Sequence, residues 1–425
     1  MLRLSLRFVA AALLIGFCVC LMARVSDAQE WTRFRGPNGS GISDAASIPV
    51  QWTDKDYRWN VQLPGMGHSS PVVWGDRVFV SSAVEKDATQ IVLCLRTSDG
   101  GQVWRRNFAS ATYQKNAAAA YASATPALDQ ERVYVVWATP KEYIVLALSQ
   151  KDGSELWRRD LGPFVSQHGF GASPIVWKDL VIVANDQDKV SFITALDCKT
   201  GQTRWRAERR TAKASFSTPS LYQPEGGKSQ LILSSWAHGL TSLDPETGRS
   251  IWELPVFHNN RIVGSPMIAA GLIFAAAGVG GNGKEMVAVQ PGDPDRGMEA
   301  KVAYNVQGSL PYVPTPVARG KLLFLWHDNG VVACMDAPTG KRLWQQRVGG
   351  NFFGSPVRVG DRLYCTSRTG EMVVLAAADK YQLLARIPLG EASHATPAVA
   401  DGVMYLRTVS HLMAIGGPST QPGQQ

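Results

Sequence analysis

The chain has 425 residues, 45% apolar and 18% charged, with a formal net charge of +8. This composition excludes a globally disordered chain and leaves room for a sizeable core. The positive charge forms no Lys/Arg block, so it implies a slightly basic surface in loose contact with anionic surfaces at most.

Residues 1–28 read as a secretory signal. Arg3 and Arg7 form a basic start, an apolar run covers 8–22, and Ser26-Asp27-Ala28 places small residues before a cleavage after Ala28. Cleavage removes Arg3, Arg7, Arg24 and Asp27 and leaves the mature chain at +6, in the periplasm or secreted. The apolar run is short for a membrane span. Phe17 and Val19 precede Cys18 and Cys20 where a lipidation motif needs a small residue. Residues 29–56 follow as an N-terminal arm. Its segment 31–41, WTRFRGPNGSG, is too rich in glycine for regular structure and lacks the lysine of a phosphate-binding loop. It is expected to lie across the rest of the molecule.

A repeating unit runs from 57 to 416, and residues 417–425 read as a flexible tail. The first clear copy is GHSSPVVWGDRVFVS at 67–81: a [ST]-P pair, an apolar run, a turn and a second apolar run. The pair returns as Ser70-Pro71, Thr125-Pro126, Ser173-Pro174, Thr218-Pro219, Ser265-Pro266, Thr315-Pro316, Ser355-Pro356 and Thr396-Pro397, at spacings of 55, 48, 45, 47, 50, 40 and 41 residues. That period, with β-branched runs bounded by turn residues, predicts four-stranded propeller blades. Trp104, Trp157, Trp205, Trp252 and Trp344 close units a few residues after a [DT]-G turn, and Tyr304 and Ala385 take the same place in two degenerate units. Such a Trp is expected to fill the space between blades with its N–H bonded nearby. The eighth unit ends without a closing strand, while Trp59 precedes the first unit and has no blade of its own. The prediction is therefore an all-β, eight-bladed propeller whose last blade is closed by the N-terminal strand, which removes open sheet edges. Seven blades would follow if the fifth unit, with insertions at 280–283 and 292–297, were too degraded. Cys94, Cys198, Cys334 and Cys365 fall in different units and read as isolated buried thiols.

Strand topology places the loops. In a four-stranded antiparallel blade, the link into the innermost strand and the turn between strands two and three share one face. His68, His168, His258 and His394 precede a [ST]-P pair; His238, His327 and His411 sit in or beside the second turn. Arg261, Tyr312, Trp236, Trp326, Phe352 and Phe353 map to the same face. This predicts a ligand- or partner-binding face around the channel mouth. His68 and His394 stand three residues before their prolines in units one and eight, which ring closure makes neighbours. Two histidines are no metal site, and none is expected. No G-x-S-x-G or H-E-x-x-H pattern occurs, and Asp186, Asp188, Asp293 and Asp295 read first as turn formers. Single-stranded nucleic acid fits the aromatics but not an exported chain.

The units, such as SPIVWKDLVIV from Ser173 followed by TALDCKTGQTRW from Thr194, closely resemble the pyrroloquinoline-quinone (PQQ) type propeller repeat over nearly all of 31–416. The opening segment resembles the start of secreted PQQ-like repeat proteins of planctomycete-type bacteria. Two branches of the family are relevant. Quinoprotein dehydrogenases hold PQQ and calcium on the axis, and many carry an adjacent cysteine pair, which is missing here; their calcium ligands and catalytic Asp match no position of this chain. The BamB-like branch binds no cofactor and works through protein contacts. The repeat is specific for fold and weakly specific for function; the expectation is a monomeric, non-enzymatic scaffold for a protein or envelope-polymer partner, with no cofactor. A small PQQ- and calcium-dependent oxidoreductase is the alternative.

Overall fold

A computed structural model describes residues 30–210, 213–258 and 260–417. The export signal expected over 1–28 and most of the tail lie outside these residues. Eight antiparallel sheets, each built on four strands, follow one another around an axis, and each opens at one of the [ST]-P pairs. We number the blades by those pairs. The described residues contain only three short 3₁₀ turns besides strands and loops. No helix among them is long and apolar enough to cross a membrane. The fifth unit is a full blade, so the count is eight. Its Gly280-Gly281 pair is no inserted loop but the tight turn of a lengthened hairpin, between Leu272–Val279 and Asn282–Gln290.

The ring closes as the missing strand implied. Trp59–Gln62 pairs antiparallel with His411–Gly416, Trp59 opposite Ala414. In blades 1 to 7 the outermost strand returns from a turn and a register shift follows, as at Cys94/Leu95 and Ala195/Leu196. Blade 8 has no such connecting turn, and its outer pairing runs without a shift. The bulge thus belongs to the connecting turn, whose glycine takes a left-handed conformation in blades 1, 2, 3, 4 and 6.

The core lies between blades. Apolar clusters straddle neighbouring sheets; one unites Val72, Phe79 and Trp104 of blade 1 with Leu128, Val135 and Leu146 of blade 2. The closing Trp reaches across each interface. Nε1–H donates to a turn carbonyl of the next blade: Trp59 to Thr97, Trp104 to Gln150, Trp157 to Cys198, Trp205 to Pro245 and Trp344 to Ala378, all at 2.9–3.0 Å. Trp157 lies flat on Gly201, where a Cβ would stand 2.6 Å from the ring and φ is +67°. This explains the glycine of the [DT]-G turn twice over, by conformation and by close approach. Trp252 uses a relay instead: it donates to Gln230 Oε1, and Gln230 Nε2 donates to Gly292 O of the next blade. Tyr304 keeps the bond through its hydroxyl, to Ala337 O. Ala385 has no ring to offer, and Ile48 and Trp52 of the arm are buried in its cluster. All four described cysteines are buried and free; Cys94 and Cys334 lie opposite Trp104 and Trp344.

The serine and threonine of the repeated pair form a belt. Each backbone N–H donates to the next blade's hydroxyl, from Ser70 to Thr125 Oγ1 (2.9 Å) around to Thr396 and Ser70 Oγ (3.0 Å). Eight bonds close a circle around the channel. Proline removes its own N–H at the strand start, and the preceding residue supplies both the donor and the acceptor.

The arm crosses the channel at the end away from the links. Trp31 pairs with Val73 of blade 1, Thr32 O accepts from Leu128 N–H of blade 2, and Asn38 bonds both ways with Leu221 of blade 4. Ile42–Ser43 then adds a parallel strand inside blade 7. Two fully enclosed arginines pin the crossing. Arg33 donates to Pro219 O, and Arg35 donates to the carbonyls of Thr315, Pro316 and Pro356 as well as to Gly39 and Ser40. An irregular backbone is held in place because its side chains satisfy inner-strand carbonyls that the sheets leave unpaired.

Candidate functional site

With one end plugged, the channel becomes a blind cavity of about 650 Å³ open at the link face. Its floor is Phe34 of the arm. Above it, seven of the eight belt residues contribute to the wall. The next tier is set by the residue two places before each belt hydroxyl: His68, Ser123, Gly171, Phe216, Val263, Val313, Phe353 and His394, all facing the cavity. The tier is uneven. Blades 4 to 7 supply an apolar arc, and blades 8, 1, 2 and 3 supply histidines and small residues. The links add Asn116, Gln167, His168, Phe170, Lys213, Arg261 and Tyr312 at the rim.

His68 and His394 do meet across the closing seam, with ring centroids 4.2 Å apart. His394 Nδ1–H donates to Ala118 O (3.2 Å), and Nε2 accepts from Arg368 Nε (3.4 Å), so its contacts specify the neutral Nδ1–H tautomer. Burial first, then the neighbouring Arg368, holds its pKa at about 4. Burial, then His394 and Arg407, holds His68 at about 3. Both rings are therefore neutral at pH 7. Phe353 packs edge-on to His394 at 5.2 Å, and the Arg368 guanidinium lies 4.3 Å over the Phe353 ring. His168 stands beside Asn116 at the rim, its pKa lowered by burial and then by Arg261. Asp328 is set back from the cavity. Its carboxylate accepts the Tyr312 and Val313 N–H groups at 2.8 and 3.1 Å, while burial raises its pKa to about 6.

The remaining residues mapped to this face are placed elsewhere on it or beneath it. Trp326 and Phe352 are completely buried, edge to face at 5.3 Å, inside the interface of blades 6 and 7. His238 is buried; its Nδ1 bonds to Glu253 and its Nε2 accepts Arg210 N–H, so both nitrogens serve blade 4. His327 Nδ1 accepts the Asn329 N–H within its own turn. His411 bonds to Glu391 and Ser410. His258 is solvent-exposed beside Glu285, outside the cavity lining. Trp236 is half-buried under the Lys213 ammonium, 4.6 Å from its centroid. The structure thus gathers His68, His168, Arg261, Tyr312, Phe353 and His394 at the mouth and leaves the other seven apart from it. Lys213, Arg368, Asn116, Gln167, Phe216 and Phe34 join the site without having been singled out by sequence. For Phe216 the register two places before the belt was the available signal.

Among the described residues no Asp or Glu lines the cavity. Among the described residues no group of three or more His, Cys, Asp or Glu is arranged to hold a metal ion. What the cavity offers is aromatic surface, neutral imidazoles, amides and cations.

An eight-bladed ring with this Trp docking and an axial cavity defines a PQQ-type repeat propeller. The chain belongs to the family described as outer membrane protein assembly factor BamB, whose pattern it matches over residues 88–326 and 328–416. Among solved structures it is similar to BamB from Moraxella catarrhalis, at 16% identity and TM-score 0.60, covering 86% of this chain and 99% of that one. A europium-containing methanol dehydrogenase matches at 14% identity and TM-score 0.66, over 90% of both chains. Quinohemoprotein alcohol dehydrogenase from Comamonas testosteroni matches at 14% and 0.65, over 96% of this chain and 83% of its own. At these identities the likeness is one of fold. A comparison with curated proteins returns no match.

Proposed function

We propose that this chain is an exported, non-enzymatic propeller that docks a protein or cell-envelope partner at the link face, around the mouth of the axial cavity. The observation that carries this reading is the lining itself: a blind, aromatic and cationic cavity with no carboxylate among the described residues. The quinoprotein alternative asks for a calcium ion, which takes six to eight oxygen ligands, carboxylates prominent among them. The cavity wall offers hydroxyls, amides and imidazoles but no acid, so its donors do not fit that ion. They also lack a carboxylate to act as general base at the axis. A rigid closed ring suits display, because little ordering is needed when a partner binds. Membership of the BamB family supports the same choice.

The test is site-specific photocrosslinking in the native host. A photoreactive residue replacing Gln167 or Gly281 at the mouth should give a discrete adduct. The same probe replacing Lys151 or Lys199, in turns of the opposite face, should not. Adducts of equal yield from both faces would remove the proposal.

A further inference from the structure

Six cations surround the cavity, and among the described residues none of them forms an ion pair. Lys213 and Arg261 line the mouth, and Arg368 stands beside His394 and Phe353. Arg33 and Arg35 flank the floor residue Phe34 and are bonded only to carbonyls. Arg407 lies under the histidine seam, donating to Ser69, Ser81 and Ser82. Burial holds Arg33, Arg35 and Arg407 at about 9, so they remain charged at neutral pH. Lys115, which acts electrostatically on His68, is by contrast paired with Glu85, as Arg209 is with Asp186 and Arg210 with Glu253. The nearest acids behind the cavity are committed to the chain, Asp328 to Tyr312 and Val313 N–H, Asp188 to Gln167 and Ala214 N–H, and Glu391, which offsets part of the Arg407 charge, to Thr408, Ser410 and His411. Buried guanidiniums whose charge is left uncompensated cost stability unless a ligand answers them. A low-dielectric cleft lined by one sign of charge also focuses its field on the opening. Arg261 Nε is buried with no hydrogen-bond partner, as are Arg33 and Arg407 Nε, and the Arg261 side chain lies at the rim beside Tyr312.

We infer that the axial cavity is an anion receptor that takes an acidic segment of the docked partner, with carboxylates between Lys213, Arg261 and Arg368 and apolar side chains on the Phe216–Phe353 arc. This rests on the docking proposal and names the chemistry of the partner's inserted part. A volume of about 650 Å³ with a closed floor suits a short chain tip entering from one side. The roughly 300–1,000 Å³ span of small-ligand pockets also includes it. The partner-borne source is favoured because Lys213 lines the mouth and is exposed there, where a chain continuing out of the cavity would pass.

The experiment is fluorescence anisotropy of the full chain with fluorescein-labelled hexaglutamate, hexaglutamine as its neutral counterpart, and free glutamate and inorganic phosphate as competitors. Hexaglutamate should bind saturably, more weakly as salt rises, and hexaglutamine should not. Arg261→Gln and Arg368→Gln should each weaken binding about tenfold, as loss of one charge-assisted contact does. Lys199→Gln, on the opposite face, should change nothing, and unchanged thermal unfolding would show each variant folded. Equal binding of the two peptides, or hexaglutamate affinity indifferent to Arg261→Gln in a folded variant, overturns the inference. Competition by free glutamate or phosphate at the peptide's own affinity overturns the partner-borne source and assigns the cavity to a small acid. The two readings fail separately. Link-face crosslinks that survive Arg261→Gln leave docking intact and remove the anion receptor; peptide binding without crosslinks does the reverse.

Discussion

Trp157 shows how one side chain holds two blades. Its ring covers Gly201 and its N–H bonds to Cys198 O, so the same residue supplies buried area and a satisfied polar group. Trp157→Ala should lower unfolding stability by about 3–5 kcal/mol, read from urea denaturation. Gly201→Ala should also destabilise, by about 1–3 kcal/mol, since it adds a Cβ against the ring at a positive φ. The belt makes a sharper claim. Thr218→Val removes the acceptor for the buried Ser173 N–H and should cost about 1–3 kcal/mol, whereas Thr218→Ser keeps the acceptor and should be close to neutral. The seam histidines set a pH dependence. Their folded pKa values, about 3 and about 4, lie below the usual 6.5, so the unfolded chain binds more protons between those limits. Stability from the neutral rings is complete above about pH 6.5 and is lost as pH falls toward 4 and then 3. The denaturation midpoint should therefore fall less steeply from pH 7 to 4.5 in a His68→Asn, His394→Asn variant than in the parent. Equal slopes would show that the seam does not titrate in this way.

At the scale of elements, the repeat was legible because every blade reuses one pattern of turn, strand and docking residue. The orphan strand at Trp59 was legible by subtraction, and its pairing with His411–Gly416 follows. The face was legible from topology, but its depth was not. Trp326 and His68 map to the same side, yet one is sealed between blades and the other opens onto the cavity. The difference lies in register to the belt, two residues before the hydroxyl. The arm's place was the least legible part. It makes no periodic pattern, because its hold comes from Arg33 and Arg35 reaching main-chain carbonyls, and main-chain groups carry no sequence signal. Removing residues 57–63 should expose the edge of His411–Gly416 and give concentration-dependent aggregation by light scattering.

For the whole molecule, a closed ring, a plugged floor and a charged mouth leave an axial cavity with one way in. The same ring is found in a BamB and in alcohol dehydrogenases, so fold alone does not choose among functions. What favours a scaffold is the lining, aromatic and cationic with no carboxylate at the axis among the described residues. The most direct measurement is a titration of purified chain with PQQ, with and without calcium, followed by absorbance and by dye reduction with alcohols and sugars. A non-enzymatic scaffold should show no calcium-dependent spectral change and no dye reduction. A calcium-dependent, saturable spectrum that turns over substrate would contradict it.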